Sequence, residues 1–199
     1  MVQAEIQWVR NQDAYNVDKA PTIELFNNYF KSGISSILFQ NIRELKALAY
    51  STYGFYVESQ KKDDENTFAG YVGTQSDKMN DAIAAMNELL TKMPESAEGF
   101  KSAKENIRKS IDTECITQNG IIFIYLAAQR KGLNYDARKA TFKKGNNISF
   151  ADMSTFHDTE LKGKPYTYCI VTSDKRVTDD DHKNYGEQTK PDMKQIYGY

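Results

Sequence analysis

Gly33-Ile34-Ser35-Ser36-Ile37-Leu38-Phe39-Gln40-Asn41-Ile42-Arg43-Glu44-Leu45-Lys46-Ala47-Leu48-Ala49-Tyr50-Ser51-Thr52-Tyr53-Gly54-Phe55-Tyr56 changes its period part-way along. The first half has helical spacing. Ile34, Leu38, Ile42 and Leu45 share an inner stripe, and Gln40 and Arg43 fall on the other side. The second half alternates as a strand does, over Ala49 to Glu58. Ala49, Ser51, Tyr53, Phe55 and Val57 form one face, and Tyr50, Thr52, Gly54, Tyr56 and Glu58 form the other. A glycine inside a strand marks a close approach of other backbone.

Upstream, Val2, Ala4, Ile6 and Trp8 alternate with Gln3, Glu5 and Gln7, which predicts a half-buried strand. Pro21 starts a helix with a stripe of Ile23, Phe26, Tyr29 and Phe30, and Lys31-Ser32-Gly33 breaks it. Downstream, Lys61 to Asn66 is a charged turn, and Thr67 to Thr74 returns as the second arm of an antiparallel hairpin. Ser76 can cap a helix striped with Met79, Ile83, Met86, Leu90 and Met93. Past Pro94, a longer helix carries Phe100, Ala103, Ile107, Ile111 and Cys115. The run between Gly120 and Gly132 reads as a buried helix, and Tyr135 to Asn147 as polar connection. Ser149 or Asp152 opens a short helix, and Tyr166 to Ser173 reads as an interior strand. Asp174 to Gln188 is charged loop, and Pro191 to Ile196 closes the chain with a helical turn. The order β-α-α-β-β-α-α-α-α-β lacks a regular βα alternation. It predicts an α+β two-layer sandwich: a mixed, mainly antiparallel sheet with helices on one face and the other face left bare.

With 199 residues, 40% hydrophobic and 27% charged, the chain fits a single domain over 1–199. A chain that opens directly on a core strand reads as an excised piece of a longer protein. The net charge of −1 and the lack of a basic arm argue against nucleic acid, and no apolar run is long enough for a membrane span. Cys115 and Cys169 read as two buried thiols and do not separate a periplasmic from a cytoplasmic home. Only two histidines occur. His157-Asp158-Thr159-Glu160-Leu161 has Leu161 where a second zinc ligand would stand, and His182 is distant, so His157 reads as part of a solvated helix face and no metal site is assigned. Neither cysteine has a neighbouring histidine, and no phosphate loop or Gly-x-Ser-x-Gly elbow is present.

What remains is Arg43 and Tyr50, seven residues apart across the helix-to-strand junction. A guanidinium fork and a phenolic hydroxyl together can hold a peptide carbonyl or a developing oxyanion. An arginine near a helix C-terminus can equally complement the dipole, and a strand tyrosine can simply pack. Spacing alone leaves both open.

Asn27 to Tyr56, NNYFKSGISSILFQNIRELKALAYSTYGFY, resembles the C-terminal, non-zinc half-domain signature of the pitrilysin/insulinase-like zinc peptidases, family M16. The resemblance continues through Phe68–Leu90 and Pro94–Ile111 to the closing KQIYGY. It implies a half-domain that closes on a zinc-bearing partner half, on the same or a separate chain. There Arg43 and Tyr50 would bind the main chain of a peptide or protein substrate and support the transition state. The zinc would sit in the partner half, with no metal or cofactor in this one, which by itself would be inactive. By the same resemblance, the Tyr50 face of the strand is a candidate wall of the enclosed chamber. The alternative is a degenerate scaffold or peptide-binding module of the same fold.

Overall fold

The computed structural model describes residues 3–31, 36–173 and 183–198. Gly33, Ile34, Ser35, most of the charged loop and His182 lie outside them. The elements are β1 (Gln3–Ala14), α1 (Ala20–Phe30), a π-helix (Phe39–Leu45), β2 (Ser51–Val57) and β3 (Glu65–Gln75). A 3-10 turn (Ser76–Lys78) leads into α2 (Met79–Thr91), α3 (Ala97–Thr113), α4 (Gln118–Arg130), α5 (Arg138–Lys144) and α6 (Phe150–Glu160). Then come β4 (Thr167–Val171), a 3-10 turn (Lys183–Tyr185) and α7 (Met193–Tyr197). The sheet runs β2-β3-β1-β4, and each of its pairings is antiparallel.

Helices cover one face of this sheet. Ala4, Ile6, Trp8, Tyr56, Phe68 and Val72 point into them and are buried. From the other side come Phe26 and Phe30 of α1, Met86 of α2, and Met153 and Phe156 of α6, in one continuous cluster. Phe26 stacks on Phe30 with ring centres 5.0 Å apart and meets Phe156 at 5.5 Å. The Trp8 indole N–H donates to Asn87 Oδ1 at 3.0 Å, so its polar edge is satisfied inside the core. Tyr29 pins the α2–α3 turn. Its hydroxyl donates to Pro94 O at 2.7 Å and accepts from Ser96 N–H at 2.8 Å.

Helix α1 lies along β2 and closes that edge of the sheet. Asn27 makes both backbone bonds of Tyr56, accepting its N–H at 2.8 Å and donating to its carbonyl at 2.9 Å. Gly54 N–H donates to Lys31 O at 3.1 Å. Gly54 is crowded, but by side chains rather than the expected backbone: an added Cβ would stand 2.9 Å from Leu38 Cδ1 and 3.2 Å from Phe30 Cε1. These contacts correct the reading of β2. The Thr52–Gly54–Tyr56 face lies beneath the helices rather than on a chamber wall. The open face is built from cross-strand rows: Phe55, Ala69, Val9 and Thr167; then Tyr53, Tyr71, Gln7 and Cys169; then Ser51, Gly73, Glu5 and Val171. On it Tyr53 and Tyr71 stack at 4.9 Å.

Several other expectations change. The π register widens each turn by about one residue, which swings Leu45 off the inner face that Ile42 keeps; Leu45 is 78% exposed. Cys115 lies beyond the end of α3, and Cys169 is on the open sheet face, so both thiols are exposed. β4 is an edge strand, paired on one side with β1. Ser76 sits inside the 3-10 turn, where its hydroxyl accepts from Thr172 at 3.4 Å instead of capping α2. Part of the polar connection coils into α5. The Ser149 cap is as expected, a full capping box with Asp152. Helix α4 forms where expected but is not buried: Ile121, Ile122, Phe123, Tyr125 and Leu126 are exposed, and Ala128 alone is buried.

Candidate functional site at the π-helix-to-strand junction

The junction holds both residues singled out from the sequence. Arg43 lies in the last turn of the π-helix, where an unsatisfied carbonyl end favours a cation. Its guanidinium lies over the Phe39 ring, 4.8 Å from the centroid, and the side chain is exposed to solvent. Tyr50 stands one residue before β2 and is 54% exposed. No hydrogen bond joins the two among the described residues.

A tight cap connects them. Ala47 has φ 48°, the one non-glycine residue with positive φ among the described residues. Leu48 N–H reaches back to Ile42 O at 3.0 Å, one residue wider than the usual left-handed cap, as the π register requires. A left-handed alanine costs about 1–2 kcal/mol, so other contacts must hold it. They come from the end of β3. Gly73 O accepts Tyr50 N–H at 2.8 Å, the Thr74 hydroxyl donates to Leu48 O, and Gln75 Nε2 donates to the Tyr50 hydroxyl at 2.8 Å. Lys46 pairs with Glu88 of α2 at 2.6 Å, a bridge between exposed side chains. Gly73, Thr74 and Gln75 escaped the sequence reading. They lie more than twenty residues from the segment they grip, and only the hairpin brings them there.

The Tyr50 oxygen accepts from Gln75, so its own O–H remains to be donated, and no partner takes it among the described residues. The junction therefore offers one hydroxyl donor and one guanidinium, both open to solvent. A cavity beneath the π-helix, lined by Asn41, Ile42, Lys46, Ala85, Glu88 and Leu89, holds about 60 Å³, well below the size of a small-ligand pocket.

His157 is fully buried rather than solvated, because α6 turns it beneath α1 against Phe26 and Phe30. Its Nε2 lies 3.0 Å from Leu89 O, which can only accept, so Nε2 carries the proton. Burial holds its pKa below the usual 6.5, with the Leu89 bond and Asp158 opposing the shift. Glu160 is also buried. Its carboxylate takes Lys19 at 2.7 Å, and its backbone carbonyl takes Arg10 at 2.8 Å. Burial pulls the Lys19 pKa down, but the Glu160 and Asp13 carboxylates outweigh it and the net shift is upward. These are packing devices. Among the described residues no three ligand side chains group to hold a metal, so zinc does not fit here. Among the described residues no helix is long and apolar enough to cross a membrane.

No curated protein matches this sequence. Solved structures share its fold. A peptidase M16 inactive domain from Pseudomonas fluorescens superposes with a TM-score of 0.71 at 13% identity, over 85% of this chain and 41% of that one. A protease from Helicobacter pylori gives 0.69 at 12%, again over 85% and 41%. A Bordetella pertussis protein described as a zinc protease gives 0.68 at 14%, over 86% of this chain and 95% of that one. The chain thus spans less than half the length of the first two. The profile of the peptidase M16 inactive domain matches residues 2–107, more than half of the 199. With its match over more than half of its length and its one-sided antiparallel sheet, the chain belongs to the peptidase M16 inactive-domain family.

Proposed function

We propose that this chain is the non-catalytic half of a zinc-dependent endopeptidase. It closes over a companion half-domain that carries the zinc, and Arg43 and Tyr50 bind the substrate main chain. The observation that carries the reading is the junction itself: an exposed guanidinium and a phenolic proton without a partner among the described residues, on a cap strained enough to need dedicated supports. In this role the Tyr50 O–H donates to a substrate carbonyl oxygen, and Arg43 holds a neighbouring carbonyl or the Tyr50 ring. The closing role draws support from α4, an apolar helix with almost nothing over it, and from the longer chains of the P. fluorescens and H. pylori relatives, which supply room for a companion.

The test is Tyr50→Phe in the assembled peptidase. Loss of one oxyanion-type donor lowers kcat by about 10²–10³, with KM changed far less. An unchanged kcat sinks the assignment and leaves the chain a peptide-binding scaffold. The 199 residues alone should not cleave peptides, and chelator-sensitive cleavage by a clean preparation would overturn that.

A further inference from the structure

We infer that Gln75 is a positioning residue for Tyr50, setting the direction in which the phenolic proton is offered. The inference rests on the role proposed for Tyr50 and adds a residue that no motif points to. Gln75 is the last residue of β3 and is paired to Gln3 of β1, so its backbone is held by the centre of the sheet rather than by the junction. Its Nε2–H donates to Tyr50 Oη at 2.8 Å. A hydroxyl that accepts from the amide N–H cannot also turn its proton toward that nitrogen, so the O–H points away from Gln75 Nε2. The two preceding residues fix the rest of the segment: Thr74 binds Leu48 O and Gly73 binds the Tyr50 backbone N–H. Three successive residues of one strand thus locate the tyrosine's carbonyl neighbour, its main chain and its hydroxyl. Gln75 is the one whose bond acts on the reacting atom.

The chemistry predicts an order among variants that shape alone would not. Gln75→Met keeps length and removes the donor. Gln75→Glu keeps the shape but presents a carboxylate, which accepts the Tyr50 proton and draws it away from substrate. In the assembled peptidase at neutral pH, Gln75→Met should lower kcat about three- to tenfold with KM within about twofold, the scale of one neutral hydrogen bond. Gln75→Glu should be slower still. It should recover relative to the native enzyme as pH falls toward the ordinary carboxyl range of about 4.3, where a protonated carboxyl can donate again. A packing role would rank the isosteric glutamate closest to native, and that ranking overturns the inference. A second readout needs no activity. In NMR spectra of the 199-residue chain, Tyr50→Phe should move the Gln75 side-chain amide signal and leave other glutamine amides in place; an unmoved signal refutes the bond. If Tyr50→Phe slows turnover but the Gln75 variants do not, this inference fails alone. If Tyr50→Phe leaves kcat intact, the reading beneath it fails first.

Discussion

Helices α1 and α4 have similar apolar content and opposite fates. α1 buries seven of its eleven residues, and α4 buries one of its thirteen. α1 lies flat on β2, with α3 and α6 beside it, and bonds to the strand edge through Asn27. α4 is tied down at its C-terminal end. Arg130 O accepts Lys62 N–H at 3.0 Å, while Lys131 reaches Glu58 at 3.5 Å and lies over the Tyr15 ring at 4.7 Å. Hydrophobic periodicity reports that a helix is fit to be covered. It does not say that the same chain supplies the cover.

Core truncation tests that difference most strongly. Phe26→Ala should cost about 3–5 kcal/mol in urea unfolding of the chain, and Phe123→Ala, at a 72% exposed position, no more than about 0.5 kcal/mol. A loss above about 2 kcal/mol from Phe123→Ala would mean α4 is packed, and the contrast would collapse. Next comes the edge bond. Asn27→Ala strips Tyr56 of both outer backbone partners and should cost about 1–3 kcal/mol. Gln129→Ala, which loses only a bond to Tyr125 within its own helix, should cost much less.

The third test uses pH. His157, under α1, is held neutral by burial, with a folded pKa below 6.5. Between that lowered value and 6.5 the unfolded chain takes up a proton that the native state refuses. The stabilisation is therefore complete above 6.5 and is lost as pH falls, with a slope of at most about 1.4 kcal/mol per pH unit. His157→Gln should flatten that dependence between pH values of roughly 7.5 and 5.5, and an unchanged slope would refute the role. The smallest effect separates two helix ends. α4 stops at Gly132, φ 72°, a residue suited to the left-handed cap, while the π-helix stops at Ala47, φ 48°. Ala47→Gly should relieve the strain but add chain entropy to the unfolded state, for a net gain below about 1 kcal/mol in thermal unfolding. Clear destabilisation would show that the Ala47 methyl contributes packing.

Much of this molecule was legible from local pattern. The alternation of Ala4, Ile6 and Trp8, the helix opened by Pro21, the hairpin after Tyr50 and the Ser149 cap depend on neighbours a few residues apart, which a sequence displays directly. The same pattern placed Arg43 and Tyr50 at a helix-to-strand junction, and the family resemblance implies the role proposed for them. Errors gathered where a face had to be assigned. Thr52, Gly54 and Tyr56 look polar enough for solvent, yet they lie buried beneath the helices, and His157 looks like surface until α6 turns it under Phe26.

What the sequence alone determined, then, is the period and class of most elements, the α+β class, and a pair of candidate residues. Tertiary structure decided which sheet face is bare, that the helix before Tyr50 winds as a π-helix, and that Gly73, Thr74 and Gln75 grip the Leu48–Tyr50 segment from a strand far along the chain. The reason is physical. Periodicity is a property of residues three or four apart, whereas burial and hydrogen-bond direction depend on which distant surface arrives.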